Sequence, residues 1–392
     1  MISKIFISNM RSLSESEFTF AEGISVVCGA NGCGKTTLLE AVYLLSQGFS
    51  FRVRELKEAI SWKKDEMILR GEFSESNLKR NRGLRIHGRT TEARENGESL
   101  RSPSHFFGTC PAIIMQPSDI ELLRGAPETR RHWLDEILCF RSSANTQTLK
   151  HYKRILQQRN QWLKQNKTSE GNAVGGEELF KILTQQLVEQ GAKLWAARLT
   201  LVKELSPIIS SYYHKLSSGV DEITCAYKSS ILKELDFEDS DFAENASINK
   251  LEETSNTKDI SEQALKEAFA QKLAGIEFVE KMNGVTMSGP HKDDLALCIE
   301  GYEMRSVGSQ GQCRSAAIAM RFAAVDVASR YVSNPILLLD DIFAELDVNR
   351  RDAVASLIRE KGCQVIIATP QVEDLPFTAD KIIHLEQPKS PS

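Results

Sequence analysis

The chain has 392 residues, 41% of them hydrophobic and 26% charged, with a formal net charge of −4. This composition is typical of soluble globular proteins and the length predicts two or three structural units. The sequence contains no apolar run near the roughly 20 residues that a membrane helix needs, and MISKIFISNM does not match a signal peptide. No two of the eight cysteines form a Cys-x-x-Cys pair. We therefore expect a cytoplasmic protein.

The predicted elements form a sheet-and-helix pattern at both ends of the chain and a helical region between them. Strands are predicted at residues 2–8, 24–29, 66–73, 83–87 and 112–115, and a helix at 38–46. Helices are predicted from residue 127, over 145–164 and over 177–217, with loops at 166–178 and in the acidic stretch 238–259.

Past residue 280 the pattern returns to strands and helices and includes two very apolar strands, PILLLDD and CQVIIAT. Such continuous apolar runs are typical of strands covered on both faces. We therefore predict an α/β fold, with a head built from residues 1–122 and 281–392 and a helical arm, residues 123–280, inserted between them.

A phosphate-binding loop is indicated by GANGCGKTT, which stands between a predicted strand and a predicted helix. It matches G-x-x-x-x-G-K-[ST] in the strand-to-helix context that this motif requires. Its glycines allow backbone N–H groups to surround phosphates, and we expect Lys35 to reach the β- and γ-phosphates and Thr36 to ligate Mg²⁺. The residues predicted to bind ATP are Gly29, Ala30, Asn31, Gly32, Cys33, Gly34, Lys35, Thr36 and Thr37.

An acidic pair follows the apolar strand ILLLDD. Asp340 is predicted at the carboxyl end of this strand, the edge where ligands bind in open α/β sheets, and is expected to hold the water shell of Mg²⁺. Asp341 follows at once, where a second carboxylate can polarise the attacking water. With Lys35, these two residues predict a P-loop nucleoside triphosphatase.

The stretch SQGQCRSAAIAMRF, which begins at Ser309, reads as a polar turn followed by a helix. A helix N-terminus carries unpaired N–H groups and a partial positive charge, so it attracts an anion. The turn resembles the signature motif of the ABC ATPase superfamily, with Ser-Gln-Gly-Gln in place of Ser-Gly-Gly-Gln. In that superfamily the signature helix points at the γ-phosphate of ATP held by the other subunit, which implies this role for Ser309, Gly311 and Gln312.

Motifs along almost the whole chain closely resemble those of the RecF family of DNA-repair ATPases. In the family's order and spacing they are FISNMRSL, FSFR, PSDIELLRGAPETRRHWLD, YKRILQQRN, GPHKDDLAL, VGSQGQCRSAAIAM and LLLDDIFAELDVNRR. The resemblance implies an ABC-type head with a helical arm that forms a homodimer around two ATP molecules. It also implies binding to double- and single-stranded DNA and cooperation with the mediator proteins RecO and RecR in loading RecA at gaps.

The resemblance extends to three further site residues and contains two departures. Gln116 stands where the superfamily's Q-loop glutamine senses Mg²⁺ and the water, and Glu345 and Asp347 stand in the D-loop region. Asp341 replaces the usual glutamate, and Pro370 stands where the switch histidine is expected. Both departures predict slow, switch-like hydrolysis. Gln371 is a candidate replacement for the histidine.

The charge is unevenly spread. Residues 124–164 hold nine Lys/Arg against three Asp/Glu, residues 79–101 hold seven against three, and residues 229–262 hold three against ten. A basic segment is the electrostatic footprint of a nucleic-acid partner, although solvated helix faces are often charged too. DNA contacts are predicted at Arg130, Arg131, Lys153 and Arg154.

Other interpretations stay open from the residues. The nucleotide-binding subunit of a membrane transporter has similar motifs but needs neither so long an insertion nor the basic segment. SMC or Rad heads carry heptad coiled coils, and no sustained heptads are found here. A third alternative is an ATP-gated scaffold that does not bind DNA. His291, beside Asp293 and Asp294, suggests a metal site, but a metal needs more converging ligands, so a structural or dimer-face role is favoured.

Overall fold

The computed structural model describes residues 1–75, 78–167, 176–217, 219, 222–235, 260–332, 335–373 and 375–386. The chain divides into two compact units. Unit 1 comprises Met1–Asp119, Lys215–Ser218 and Ile318–Ser392, and unit 2 comprises Ile120–His214 and Gly219–Ala317. The predicted acidic loop at 238–259 lies outside the described residues, as do residues 168–175 of the other predicted loop.

The strands are numbered in chain order. They are β1 Ile2–Ser8, β2 Ser16–Thr19, β3 Ile24–Cys28, β4 Glu66–Glu75, β5 Leu78–His87, β6 Thr90–Glu95, β7 Glu98–Leu100, β8 Ala112–Met115, β9 Ile223–Lys228, β10 Asp294–Ile299, β11 Tyr302–Glu303, β12 Ile336–Asp340, β13 Gln364–Thr369 and β14 Lys381–His384.

The helices are α1 Lys35–Gln47, α2 Glu121–Arg124, α3 Pro127–Arg141, α4 Ser143–Gln165, α5 Gly176–Leu216, α6 Ser230–Glu234, α7 Glu262–Asn283, α8 Met304–Val307, α9 Gln310–Tyr331 and α10 Val348–Lys361. None of these helices is long and apolar enough to cross a lipid bilayer. The predicted strands and long helices are confirmed, with ends that differ by a few residues.

Two sheets form unit 1. A parallel sheet has the order β14-β3-β13-β12-β8, and an antiparallel sheet has the order β2-β1-β4-β5-β6-β7. Helix α1 is buried almost along its whole length, and its leucines share one hydrophobic core with residues of both sheets. The apolar strands PILLLDD and CQVIIAT are β12 and β13, which lie side by side inside the parallel sheet and are buried as predicted.

Unit 2 combines the helices α2–α8 with a three-stranded antiparallel sheet of order β11-β10-β9. Strand β9 was not predicted, because its six residues lie between a helix and a polar segment. It pairs with β10, which is the DLAL part of the GPHKDDLAL motif. The motif therefore continues directly into a sheet strand.

A buried ion pair joins α4 to α7 within unit 2. The Arg159 Nη2 donates to Glu280 Oε2 at 2.7 Å, and both side chains are almost fully buried. The guanidinium also donates to the hydroxyls of Thr184 (3.0 Å) and Thr286 (2.8 Å), and Glu280 Oε1 accepts the Met287 N–H. Every charged group here has partners, which is the condition under which a buried pair is tolerated.

We expect Glu280→Gln to lower the free energy of unfolding by about 3–5 kcal/mol, because it leaves the Arg159 charge buried without its counter-ion. Glu277→Gln is the matched control. Glu277 is on the same helix in a half-exposed pair with Lys281, and an exposed pair is worth below about 1 kcal/mol. Urea unfolding followed by tryptophan fluorescence measures the free energy of unfolding of both variants, since Trp133, Trp162 and Trp195 are buried in unit 2. Equal losses in the two variants would contradict the assigned role of the pair.

Candidate nucleotide-binding site

The GANGCGKTT segment forms the turn between β3 and α1. Gly34 is the N-cap residue of α1, with φ 108° and no side-chain hydrogen bond to the cap. A Cβ added at Gly34 would lie 2.8 Å from the Leu13 side chain, and one at Gly29 would lie 2.5 Å from the Leu385 carbonyl oxygen. Glycine is therefore required by space as well as by φ, and the first-turn N–H groups of α1 are left for an anionic ligand.

Lys35 completes the positive character of this turn. Its side chain is largely buried, and its ammonium donates to the carbonyl oxygens of Gly29 at 2.8 Å and Ala30 at 3.1 Å. These bonds fold the side chain back over its own loop. The ammonium and the helix N-terminus thus lie at one turn, which fits a polyphosphate.

Asp340 ends β12 and accepts a hydrogen bond from Thr36. The Thr36 Oγ1 donates to Asp340 Oδ1 at 3.0 Å, so two of the three residues predicted at the magnesium site lie side by side. Burial raises the pKa of Asp340 and the adjacent Asp341 raises it further, against the Thr36 hydrogen bond and the charge of Arg52. Hydroxyl and carboxylate oxygens are the ligands that Mg²⁺ prefers, so these two residues fit that ion.

Asp341 has a left-handed backbone conformation. Its φ is 52° and its ψ is 30°, and its N–H donates to the Ala368 carbonyl oxygen at 2.9 Å. A non-glycine residue in this region costs on the order of 1–3 kcal/mol, and such strain clusters at functional sites. The β12–β13 pairing therefore fixes the backbone of the second predicted carboxylate.

Gln116 follows β8 and is fixed through its backbone. Its N–H donates to Asp119 Oδ2 at 3.0 Å, and the Asp119 N–H donates back to the Gln116 carbonyl oxygen at 2.9 Å. The Asp119 carboxylate accepts from Arg321 Nε at 3.1 Å and Nη2 at 2.7 Å. Asp119 and Arg321 were not predicted as a pair, since they lie far apart in the chain.

A second unpredicted group surrounds Glu40 on α1. Glu40 is fully buried and accepts from Arg11 Nε at 2.7 Å and from Arg52 Nη1 at 3.3 Å. The two arginines belong to FISNMRSL and FSFR, the motifs quoted for the family resemblance. A charged residue within the apolar stretch LLEAVYLL was the available signal.

The predicted signature residues lie in unit 2 at the start of α9. The Ser309 Oγ accepts the Gln312 N–H at 3.2 Å, and Gln312 Oε1 accepts the Ser309 N–H at 2.9 Å. This reciprocal pair is a capping box. Ser309 is exposed and Gly311 is half-buried.

The remaining predicted site residues of unit 1 lie on its surface. Asp347 is the N-cap residue of α10, where the Arg350 N–H donates to it and lowers its pKa. Glu345 is exposed. Pro370 and Gln371 follow β13, and the Gln371 carbonyl oxygen accepts from Thr369 Oγ1 at 3.0 Å.

The four predicted DNA contacts divide by exposure. Arg130 is 3% exposed and makes a two-pronged pair with Asp294, at 2.7 and 2.9 Å. The structure therefore gives Arg130 a structural role in place of the DNA contact predicted from the sequence. Arg131 is half-buried and donates to the Asp293 carbonyl oxygen, whereas Lys153 and Arg154 are exposed.

His291 is part of a hydrogen-bonded network in unit 2. Its Nδ1 lies 2.6 Å from the Tyr152 hydroxyl, and burial lowers its pKa to about 4. Asp293 accepts from Trp195 Nε1 and from the Tyr227 hydroxyl. Among the described residues, no three His, Cys, Asp or Glu side chains are placed to hold a metal ion.

Comparisons with known proteins cover nearly the whole chain. A family model described as an AAA domain matches residues 4–283. The DNA replication and repair protein RecF of Geobacter metallireducens is 31% identical over 376 residues, 95% of this chain and 94% of that protein. The protein of the same name from Bacillus cereus strain B4264 is 28% identical over 375 residues, 95% of this chain and 93% of that protein.

Solved structures that resemble this chain include a RecF protein. A structure of the recombination mediator protein RecF with ATP, in the RecFOR pathway, is 26% identical with a TM-score of 0.83, covering 98% of this chain and 95% of that one. An Smc head domain from Pyrococcus furiosus with an extended coiled coil has a TM-score of 0.53 at 16% identity, covering 98% of this chain and 92% of that one, and shares the fold alone. The predicted α/β ATPase-head fold is confirmed.

We expect Asp340→Asn to raise the free energy of unfolding at pH 7 without nucleotide or Mg²⁺. The folded protein keeps the Asp340 proton to higher pH than the unfolded chain, whose pKa is about 3.9, because burial raises the folded pKa. The contribution of Asp340 to wild-type stability therefore falls as pH rises above about 4 through the raised pKa, and asparagine removes that loss.

Calorimetry between pH 4 and pH 7 measures this effect, with Asp352→Asn as the control, since Asp352 is an exposed carboxyl in the same unit. The gain from Asp340→Asn is expected at pH 7 and should disappear as pH falls to about 4. Equal stability at pH 7, or a gain that persists at pH 4, would mean that burial of the Asp340 charge is not costly.

Proposed function

This chain belongs to the RecF family, and from that premise we propose that it is an ATP-dependent, DNA-binding switch in DNA replication and recombinational repair. The observation that carries the proposal is the Thr36–Asp340 hydrogen bond at 3.0 Å. It brings the phosphate-binding loop and the acidic strand end together beside Lys35. That combination is typical of a nucleoside triphosphatase. Membership of the RecF family argues against the transporter-subunit interpretation.

The proposed cofactors are ATP and Mg²⁺. Lys35 and the N–H groups at the start of α1 bind the phosphates, with Gly29 to Thr37 as the enclosing loop. Thr36 and Asp340 hold the Mg²⁺, which neutralises phosphate charge when bound. Asp341 and Gln116 orient the attacking water, and Gln116 also senses the Mg²⁺.

Hydrolysis is proposed to be slow. Asp341 is one methylene shorter than the glutamate usual at this position, and Pro370 carries no imidazole. The carboxylate therefore reaches less far toward a water, and proline in place of the histidine directly after β13 removes a group expected to contact the γ-phosphate. A slow ATPase suits a switch, in which the bound nucleotide sets the assembly state.

The proposed assembly is a homodimer around two ATP molecules. Ser309, Gly311 and Gln312 of one chain would face the γ-phosphate held by the other, with Asp347 beside the same interface. Ser309 and Asp347 are exposed, as such a contact requires. DNA, both double- and single-stranded, is the proposed ligand of the dimer.

Protein partners of this chain are proposed by family membership. The ATP-bound relative is described as a recombination mediator in the RecFOR pathway. We propose RecR and RecO as partners here, and assistance to RecA loading at single-strand gaps as the outcome. The exposed Lys153 and Arg154 are the proposed DNA contacts on α4.

ATP is expected to drive dimerisation and ADP is not, because only the third phosphate reaches the second chain. Lys35→Met should abolish tight ATP binding and dimerisation together. Ser309→Arg should bind ATP but stay monomeric, and Asp341→Asn should form an ATP dimer that hydrolyses poorly. Light scattering with ATP, ADP and no nucleotide, beside an ATP-binding titration, separates these three behaviours.

Two results would contradict the assembly. One is a wild-type protein, saturated with ATP, that stays monomeric at micromolar concentration. The other is a Ser309→Arg variant that dimerises normally. Unchanged ATP affinity in Lys35→Met would contradict the phosphate-loop assignment itself.

Charge reversal at Lys153 and Arg154 is expected to weaken DNA binding across sequences and to flatten its salt dependence, since each lost phosphate contact removes about one released counterion. Lys193→Glu is the control, an exposed lysine on α5 of the same unit. DNA titrations at several salt concentrations measure the slope. A slope identical to that of the wild type would show that the two cations form only a solvated face.

A further inference from the structure

The most exposed large hydrophobic side chain of the described residues is Trp62, at 87%. The other three tryptophans of the chain, Trp133, Trp162 and Trp195, are at most 4% exposed. A lone exposed aliphatic side chain needs no explanation, but an indole left almost wholly in water forfeits the burial of a large apolar surface. The position of Trp62 is therefore informative.

Trp62 lies on a β-turn of unit 1 that is fixed at both ends. The Lys64 N–H donates to the Ser61 carbonyl oxygen at 3.1 Å and closes the turn, and the Ser61 N–H donates to the Asn9 carbonyl oxygen at 3.0 Å. After the turn, the Asp65 carbonyl oxygen accepts the Gly88 N–H at 3.4 Å. A fixed backbone lowers the entropy lost when a ligand orders the side chain.

Three exposed cations lie near Trp62, two in its own turn and one in the adjoining β5–β6 turn. Lys63 and Lys64 follow Trp62 directly, and both are exposed. Arg89, also exposed, follows Gly88 in the β5–β6 turn that bonds to Asp65. Within the described part of the chain none of these three cations makes an ion pair, whereas the nearby Glu66 carboxylate is engaged by Arg85 at 2.7 Å.

Lys63 adds a second unusual feature to the turn. Its φ is 62° at the third position of the turn, where a positive φ ordinarily selects glycine. A lysine there places a cation directly after Trp62 in the chain at the expense of backbone strain. The stretch from Ser61 to Asp65 holds two lysines and one carboxylate, a formal charge of +1, and the Glu66 carboxylate that follows is neutralised by Arg85.

We propose that the turn from Ser61 to Lys64 is a stacking platform for single-stranded DNA. Trp62 stacks on an unpaired base, while Lys63, Lys64 and Arg89 contact the flanking phosphates. Aromatic stacking combined with backbone cations is the usual mode of sequence-tolerant single-strand binding. A duplex hides the faces of its bases, so the platform discriminates a single strand from a duplex. This inference rests on the DNA-binding function proposed above.

The test uses the full chain and three DNA probes: an oligothymidylate, an abasic oligomer of the same length, and a duplex. The abasic strand keeps the phosphates and lacks the bases. Wild-type protein should bind oligothymidylate about five-fold or more tightly than the abasic strand. Trp62→Ala should bind both strands equally, with the salt slope unchanged because no phosphate contact is lost.

Fluorescence gives an independent measure, because Trp62 is the one tryptophan of the chain that is exposed. Oligothymidylate should quench the tryptophan fluorescence of the wild type more than that of Trp62→Ala. It should also protect the fluorescence of the wild type from quenching by acrylamide. The double variant Lys63→Gln/Lys64→Gln should keep the quench at saturation but lower the salt slope by about 1.4, since each single-strand phosphate contact contributes about 0.7.

Three results would overturn the inference. One is a wild type that binds DNA but does not prefer oligothymidylate over the abasic strand. Another is a preference that survives in Trp62→Ala. The third is a polyglutamate chain that quenches Trp62 as oligothymidylate does, which would assign the turn to an acidic protein partner. A wild type that binds neither strand nor duplex would overturn the proposed function as well.

Discussion

The parallel pairing of the sheet in unit 1 is the constraint on which the candidate site depends. Cys28 pairs with Thr369, Ala368 with Asp340, and Leu339 with Met115. In a parallel sheet all carboxyl ends lie at one edge, so the segments that follow β3, β8, β12 and β13 meet there. Four stretches far apart in the chain thus supply the phosphate loop, Gln116, the acidic pair and Pro370.

This edge holds unfavourable charge in the protein without ligand. Burial and the proximity of Asp341 both raise the pKa of Asp340, which means that its ionised form is destabilised. Arg52 opposes this effect, but its guanidinium also pairs with the fully buried Glu40. A bound cation would relieve the acidic pair, and a bound polyphosphate would meet Lys35. The site would therefore gain most in stability when both ligands are bound, because the cation offsets the negative charge of the acidic pair and the polyphosphate offsets the positive charge of Lys35.

Local sequence was sufficient for the parts of the fold that short-range physics determines. The glycine pattern before Lys35 predicted a turn because Gly29 and Gly34 have neither space nor a suitable φ for a side chain. The apolar runs of β12 and β13 predicted strands covered on both faces, and every residue of these two strands is buried except Asp340, which is half-buried. The resemblance to RecF, which rests on such local motifs, is confirmed over 95% of the chain.

Ion pairs between residues far apart in the chain could not be predicted from local sequence. Arg130 belongs to a basic segment and was predicted to bind DNA, yet Asp294, 164 positions later, occupies its guanidinium. Asp119 meets Arg321 across 202 positions. A count of charges along the chain does not distinguish a cation that faces water from one that is buried against a carboxylate, because only the tertiary fold decides which partner is present. The predicted DNA contacts therefore divided by burial, with Lys153 and Arg154 left exposed.

The capping box at the start of α9 defines what the predicted signature turn can offer to an anion. The box uses two backbone donors, the N–H groups of Ser309 and Gln312. The first-turn N–H groups of Gln310 and Gly311 are not used by it, and they point out of the helix along its positive end. The Ser309 hydroxyl accepts within the box, so its own proton stays available to a phosphate oxygen. Internal capping thus orders this turn in advance of any ligand, and a γ-phosphate from a second chain would meet donors that are already in position.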